Sequence, residues 1–187
     1  MTQALLLVDI QNDYFPGGAM ELVGAPEAGL MAAALLQAFR HSGRPIVHIQ
    51  HLATRPGATF FLPGTAGAEL HASVAPRPGE PVFQKHYPNS FRETPLLEHL
   101  RGLGVTHLVV AGMMTHMCID TTVRAAFDLG FQCLLVQDAC GTRDLARSGI
   151  TVPAAQVQAA FLAAIHGTFA QVVTVADISA EPPFVGP

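Results

Sequence analysis

The stretch LVVAGMMTHMCIDTTVRAAF, residues Leu108 to Phe127, decides the fold. Leu108-Val109-Val110-Ala111 has the length and β-branched content of a buried strand. The chain then turns at Gly112, passes through Met113-Met114-Thr115, and becomes helix-like from near His116 to near Gly130. Cys118 falls in the first turn of that helix, where unpaired backbone N–H groups and the helix dipole favour negative charge. The position predicts a lowered thiol pKa and more thiolate at neutral pH. A strand, a tight turn and a helix start present a reactive atom at the carboxyl edge of an α/β sheet, which makes this segment the candidate active site.

The flanking sequence repeats the strand–helix alternation. Ala4 to Val8 reads as a first buried strand that delivers Asp9, followed by a polar, turn-rich loop through Gly18. From Glu27 to His41 the spacing of Leu30, Met31, Ala34, Leu35 and Ala38 predicts a helix with its apolar face on those residues. Pro45 to Ile49 gives a second strand. The Gly- and Pro-rich loop from His51 to about Pro81 is long enough to serve as a lid or a subunit contact. Its Phe60 and Phe61 either cover a pocket or bury themselves against a neighbour. Val82 to Gln84 is a short third strand ending at Lys85, and Thr94-Pro95 opens a helix with Leu96, Leu97, Leu100 and Leu103 as its apolar face. Phe131 to Val136 is a fifth strand. Thr151 caps a helix with Val157, Ala160, Phe161, Ala164 and Ile165 facing inward; Gln171 to Val175 is a sixth strand, and the tail after Ala180 is irregular. This alternation predicts an α/β fold of three layers, α-β-α, with a six-stranded, mainly parallel, Rossmann-like sheet in a single domain over residues 1–187.

Composition narrows the function. Half of the residues are hydrophobic and 13% are charged, as suits a compact and oligomeric protein. The net charge of −4 offers no basic footprint for nucleic acid. No apolar run is long enough to span a bilayer, and no secretory signal precedes the first strand. The three cysteines, Cys118, Cys133 and Cys140, form neither a disulfide framework nor a CxxC zinc pair, which points to a reducing cytoplasm.

Three strand ends offer Asp9, Lys85 and Cys118, and in a parallel sheet all carboxyl ends share one edge. Each has an ordinary alternative: Asp9 as a turn or helix cap, Lys85 as a snorkelling surface residue. Their chemistry is complementary, because a carboxylate can take the thiol proton, the thiolate can attack a carbonyl and an ammonium can support the charges. Amide N–H groups at the turn and helix start can receive an oxyanion.

Taken together, several motifs resemble the isochorismatase-like cysteine hydrolases, a group that includes nicotinamidases, N-carbamoylsarcosine amidohydrolases and ureidoacrylate-type amidases. They are Asp9-Ile10-Gln11-Asn12-Asp13-Tyr14, Pro63-Gly64-Thr65 with Gly67-Ala68-Glu69, Lys85 with Ser90-Phe91, and Gly112-Met113-Met114-Thr115-His116-Met117-Cys118. The resemblance implies a triad on a six-stranded parallel sheet. In it Asp9 is the base and later the acid, Lys85 the electrostatic support and Cys118 the nucleophile of a covalent thioester-type intermediate. It also implies a cis peptide at Met113-Met114, with the N–H groups of Met114 and Cys118 as oxyanion donors.

Two departures refine that expectation. Metal-binding nicotinamidases carry an Asp-x-His pair after the second strand and a further His in the loop. Here the stretch is Ile49-Gln50-His51, with Leu62 in place of the second His, so no catalytic metal and no cofactor are expected. Isochorismatases proper lack the nucleophilic cysteine, so Cys118 favours amide or ureido C–N hydrolysis over vinyl-ether cleavage. An isochorismatase-type or ester hydrolase on the same fold, and a non-catalytic metabolite-binding or scaffold homologue, stand as alternatives. Residues expected near a small-molecule substrate are Asn12, Tyr14, Phe60, Tyr87, Phe91, Met113 and His116. Met114 and Met117 are read either as an adaptable lining or as core. Cys133 reads as an inert small hydrophobe; Cys140, near the sheet's carboxyl edge, reads as structural, with a reactive thiol as the alternative. By the same analogy the chain forms a homo-oligomer, a dimer or tetramer, and works in the cytoplasm without nucleic-acid or membrane partners.

Overall fold

The structure is a computed structural model that describes residues 2–180. In chain order the elements are β1 (Thr2–Val8), α1 (Ala25–His41), β2 (Ile46–His51), β3 (Val82–Lys85), α2 (Leu96–Gly102), β4 (Val105–Met113), α3 (Asp120–Asp128), β5 (Gln132–Gly141), β6 (Leu145–Arg147), β7 (Ile150–Val152), α4 (Ala154–Ile165), β8 (Gln171–Val173) and α5 (Val175–Ala180). Six strands form one sheet in the order β3-β2-β1-β4-β5-β8, and every pairing in it is parallel. The strand order reverses between β1 and β4, and the crevice beyond their carboxyl ends is where such sheets bind ligands.

Period-2 alternation in β1 sorts its side chains onto two cores. Leu5 and Leu7 pack with α1 and α5 on one face, through Leu35, Leu36, Phe39 and Ile178. Ala4, Leu6 and Val8 pack on the other with α2, α3 and α4, through Leu100, Val123, Ala126 and Ile165. Both faces of the sheet are therefore covered by helices, as parallel strands require. At Gly112, φ is +137°, and a Cβ there would stand 2.0 Å from the Val8 carbonyl oxygen. Only glycine lets β1 and β4 approach closely enough at the switch point.

Several expected details are corrected. Helix α1 starts at Ala25 after the left-handed Gly24, and its buried face is Ala28, Ala32, Leu35, Leu36 and Phe39, while Leu30, Met31, Ala34 and Ala38 face out. Alanine-rich sequence fits several apolar arcs, and the aromatic ring of Phe39 fixes which one turns inward. Leu103 and the α4 residues Ala160 and Ala164 are likewise exposed. Thr151 is not a helix cap. It lies in β7 of an antiparallel hairpin with β6, turned by Ser148-Gly149 with φ of +52° and +78°. Positive φ at both turn residues matches the right-handed twist of a two-residue hairpin. The first N–H of α4, from Ala154, is taken by the Asp144 carboxylate at 2.7 Å. The sixth sheet strand ends at Val173, and helix α5 follows where strand was expected to continue. The tail beyond Ala180 lies outside the described residues. Among those described, no helix is long and apolar enough to cross a membrane.

Candidate active site

Strand β1 ends at Val8, and Asp9 follows in the left-handed region with φ of +53°. A non-glycine residue in that region costs about 1–2 kcal/mol and is held there by its surroundings. Its N–H donates to the Ile49 carbonyl, which aims the side chain over the sheet edge. Lys85 is the last residue of β3, two strands away. Strand β4 ends at Met113, the Met113-Met114 peptide is cis, and Thr115–Ile119 forms a π-helical turn that carries Cys118 into α3. The three strand ends converge: Lys85 Nζ lies 2.7 Å from Asp9 Oδ2 and 3.2 Å from Cys118 Sγ.

The ammonium has two further neighbours, His51 Nδ1 at 3.0 Å and the Tyr87 carbonyl oxygen at 3.1 Å. Four acceptors therefore surround three N–H bonds. Burial drives the His51 imidazole down to about 4, so at neutral pH its Nδ1 accepts from Lys85. Burial also works against the Lys85 ammonium, but the Asp9 carboxylate and Cys118 more than offset it and raise its pKa. Asp9, His51 and Cys118 offer an oxygen, a nitrogen and a sulfur within 4.8 Å of one another. The positive charge among these three donors is the Lys85 ammonium, in contact with each of them.

The expected lowering of the Cys118 thiol is overturned. Burial is the largest influence and pushes the thiol well above its ordinary value; the adjacent Asp9 carboxylate pushes it further, and Lys85 opposes only part of this. Only 5% of Cys118 is exposed, so desolvation outweighs the pull of the helix start. Burial thus favours the neutral form of the thiol beside the Lys85–Asp9 ion pair. Burial also pushes the thiols of Cys133 and Cys140 up to about 12, as suits packed, inert side chains.

Cys118 opens onto a cavity of about 320 Å³. Tyr14, Phe60 and Tyr87, expected near substrate, line it together with Phe61, Met114 and Met117. Tyr14 and Phe61 pack with ring centroids 4.6 Å apart, and Phe60 and Phe61 at 5.0 Å. Four other expected residues are not brought there. The Asn12 amide donates to the Ala66 carbonyl, because it ties the first loop to the long one. Phe91 stacks on Phe131 at 6.0 Å in the α2–α3 core, and Met113 is wholly buried in the α1 core because β4 still has its inward alternation there. His116 shares a 2.6 Å hydrogen bond with Thr142 and packs edge-on against Phe161, away from the sulfur.

Sequence reasoning missed what holds the cavity wall. The Asp13 carboxylate accepts from the Phe61 N–H at 2.6 Å and the Ala19 N–H at 3.1 Å. Gly67 makes room for it, since a Cβ there would fall 2.0 Å from Asp13 Oδ1. Gln11 pins the end of β2, accepting from the His51 N–H and donating to the His51 and Ala68 carbonyls. Both residues stand inside the Asp9-to-Tyr14 motif, but nothing in their order signalled partners some 40 to 57 positions away. His51 appeared as an isolated imidazole, and its contact with Lys85 depends on the pairing of β2 with β3.

Comparison with known proteins identifies the family of the chain. The Isochorismatase domain matches residues 3–177. The uncharacterized isochorismatase family protein YddQ of Bacillus subtilis is 50% identical over 174 residues, 93% of this chain and 97% of that protein. Streptothricin hydrolase of Streptomyces noursei is 36% identical over 191 residues, 99% of this chain and 66% of that one. The crystal structure of an isochorismatase hydrolase from Oleispira antarctica superposes with a TM-score of 0.93 at 49% identity, covering 96% of this chain and 97% of the other. With a parallel α/β sheet carrying its polar cluster at the switch point and a family match along nearly its whole length, this chain belongs to the isochorismatase family of hydrolases.

Proposed function

We propose that the protein hydrolyses the C–N bond of a small amide or ureido compound through a covalent intermediate on Cys118. The observation that carries this reading is a single buried ammonium, Lys85 Nζ, in contact with both a carboxylate and a thiol at the floor of an aromatic cavity. A binding module has no need of that arrangement.

With substrate in the cavity, the Cys118 proton passes to Asp9 as sulfur attacks the carbonyl carbon. Asp9 gives up its charge as sulfur gains one, so a proton of the Lys85 ammonium turns from oxygen towards sulfur. The carbonyl oxygen becomes an oxyanion, for which the N–H groups of Met114 and Cys118 are the proposed donors. Collapse breaks the C–N bond, Asp9 returns its proton to the departing nitrogen, and an acyl- or carbamoyl-thioester remains. Asp9, again a carboxylate, then takes a proton from water, whose oxygen attacks the thioester carbonyl. The acid product leaves and sulfur regains a proton. The raised thiol fits this order of events, because the nucleophile is formed only when Asp9 takes the proton.

The test is release of ammonia or amine from a panel of small amides and ureido compounds, with Cys118→Ala alongside. The reading expects turnover that the variant loses by at least about a thousandfold while keeping its circular dichroism. Turnover that survives in Cys118→Ala refutes the nucleophile.

A further inference from the structure

One wall of the cavity is a closed loop of nine residues, 53 to 61. The Ala53 N–H donates to the Phe61 carbonyl at its neck, the Ala58 N–H donates to the Arg55 carbonyl at its tip, and Asp13 anchors it through the Phe61 N–H. Phe60 and Phe61 turn their rings inward. Thr54 and Arg55 belong to the same wall, so Arg55 is presented to the cavity from a backbone that is tied down at both ends.

The charges around this wall are one-sided. Among the described residues no Asp or Glu lines the cavity, although acidic residues outnumber Lys and Arg by 14 to 10 in the chain. Three carboxylates of the adjoining segments are already paired: Asp9 with Lys85, Asp13 with two backbone N–H groups, and Glu93 with Arg92. Arg92 itself lies over the Tyr87 ring at 3.6 Å. His86 lines the wall with its Nδ1 on the Leu52 carbonyl, and His51 is turned to Lys85. The Arg55 guanidinium, in contrast, makes no hydrogen bond or ion pair with any described residue, and its charge is one of those felt by His51. A planar fork of donors without a partner, at the mouth of an otherwise aromatic cavity, is suited to a carboxylate or similar oxyanion.

We infer that Arg55 is a specificity-determining residue and that the substrate carries an anionic group, a carboxylate by preference, at the end remote from the bond that is cleaved. This rests on the proposal that Cys118 is the nucleophile. The aromatic rings hold the middle of the molecule, the guanidinium takes its charged end, and the carbonyl is delivered to the sulfur.

The test needs no knowledge of the substrate. N-iodoacetyl-4-aminobenzoate and N-iodoacetylaniline alkylate a thiolate by the same displacement, forming an S–C bond and releasing iodide, and differ in one negative charge across the ring from the reacting carbon. Rates at Cys118 are read by peptide mass spectrometry in the parent protein, Arg55→Gln and Arg55→Lys. The inference expects the ratio of the anionic to the neutral reagent's rate to fall about tenfold in Arg55→Gln, to be largely kept in Arg55→Lys, and to decline with added salt in the parent. A ratio that is the same in the parent and Arg55→Gln overturns the anion site and leaves the nucleophile standing. Inertness of Cys118 to both reagents, together with amide turnover that survives in Cys118→Ala, overturns the nucleophile, and the anion site with it. Once a substrate is found, Arg55→Gln should raise KM for the anionic compound at least tenfold with kcat little changed, and leave its neutral ester analogue unaffected.

Discussion

Replacing Asp13 by alanine should loosen the aromatic wall without touching a reacting atom. The side chain is almost wholly buried, and its two oxygens serve two backbone donors, Phe61 N–H at 2.6 Å and Ala19 N–H at 3.1 Å. Hydrogen bonds to an ionised group contribute about 1.5–3 kcal/mol each, with the fully buried Phe61 bond at the upper end and the half-buried Ala19 bond at the lower. Their joint loss comes to about 4–5 kcal/mol, because truncation strands a buried N–H as well as removing an acceptor. For a chain of this length, each kcal/mol moves Tm by about 2–4 °C, so a fall of about 10 °C is expected. Asp13→Asn should recover little, since its amide keeps one acceptor and turns a donor towards the other N–H. Thermal unfolding gives the magnitude, and hydrogen exchange shows whether residues 53–61 lose protection before the sheet does. A Tm within about 2 °C of the parent, with the Phe61 amide still protected, would refute the anchoring role.

Two further perturbations probe the frame. Gly112→Ala places a methyl group 2.0 Å from the Val8 carbonyl at a φ of +137°, and should cost more than about 4 kcal/mol in urea titrations or prevent soluble expression. Parental stability would refute the close approach of β1 and β4. Glu80 is held down to about 2, first by the Arg40 guanidinium and then by the Arg77 N–H and His48. Because the folded pKa lies below the ordinary value of 4.5, the unfolded chain binds the proton more readily there. This stabilisation is fully present above about pH 4.5 and is lost as pH falls towards about 2. Glu80→Gln should therefore be less stable than the parent at neutral pH, and the difference should shrink across that window. An unchanged pH dependence of the urea midpoint would count against the cluster that ties residues 75–80 to α1 and β2.

What the sequence made legible follows from the range of the interactions involved. The sheet strands could be read because β-branched runs mark buried strands, and parallel pairing put the ends that carry Asp9, Lys85 and Cys118 on one edge; that the three side chains meet there was implied only by the family resemblance. The inward face of α1 could not, since Leu30 and Met31 are as apolar as Leu35 and only the packing of Phe39 against the sheet chooses between them. The β6–β7 hairpin turns at Ser148-Gly149, and reading Thr151 as a helix cap left that pair out of account. Roles that rest on a partner far along the chain, as for Asp13 and His51, have no local signature at all. The Cys118 thiol shows a different limit: the helix start was visible in the sequence, but the burial that dominates it was not.

The crowding of Lys85 has a consequence for the electrical character of the site. Ammonium, carboxylate, thiol and neutral imidazole together carry no net charge. Transfer of the thiol proton to Asp9 leaves that total untouched, and converts one internal tautomer into another while a dipole about 3 Å long swings from oxygen to sulfur. No counter-ion has to enter or leave, and the cluster can stay dry while it changes state. Ionic strength should then act on the arrival of a charged molecule at the rim of the cavity and leave the proton shift beneath it almost unaffected.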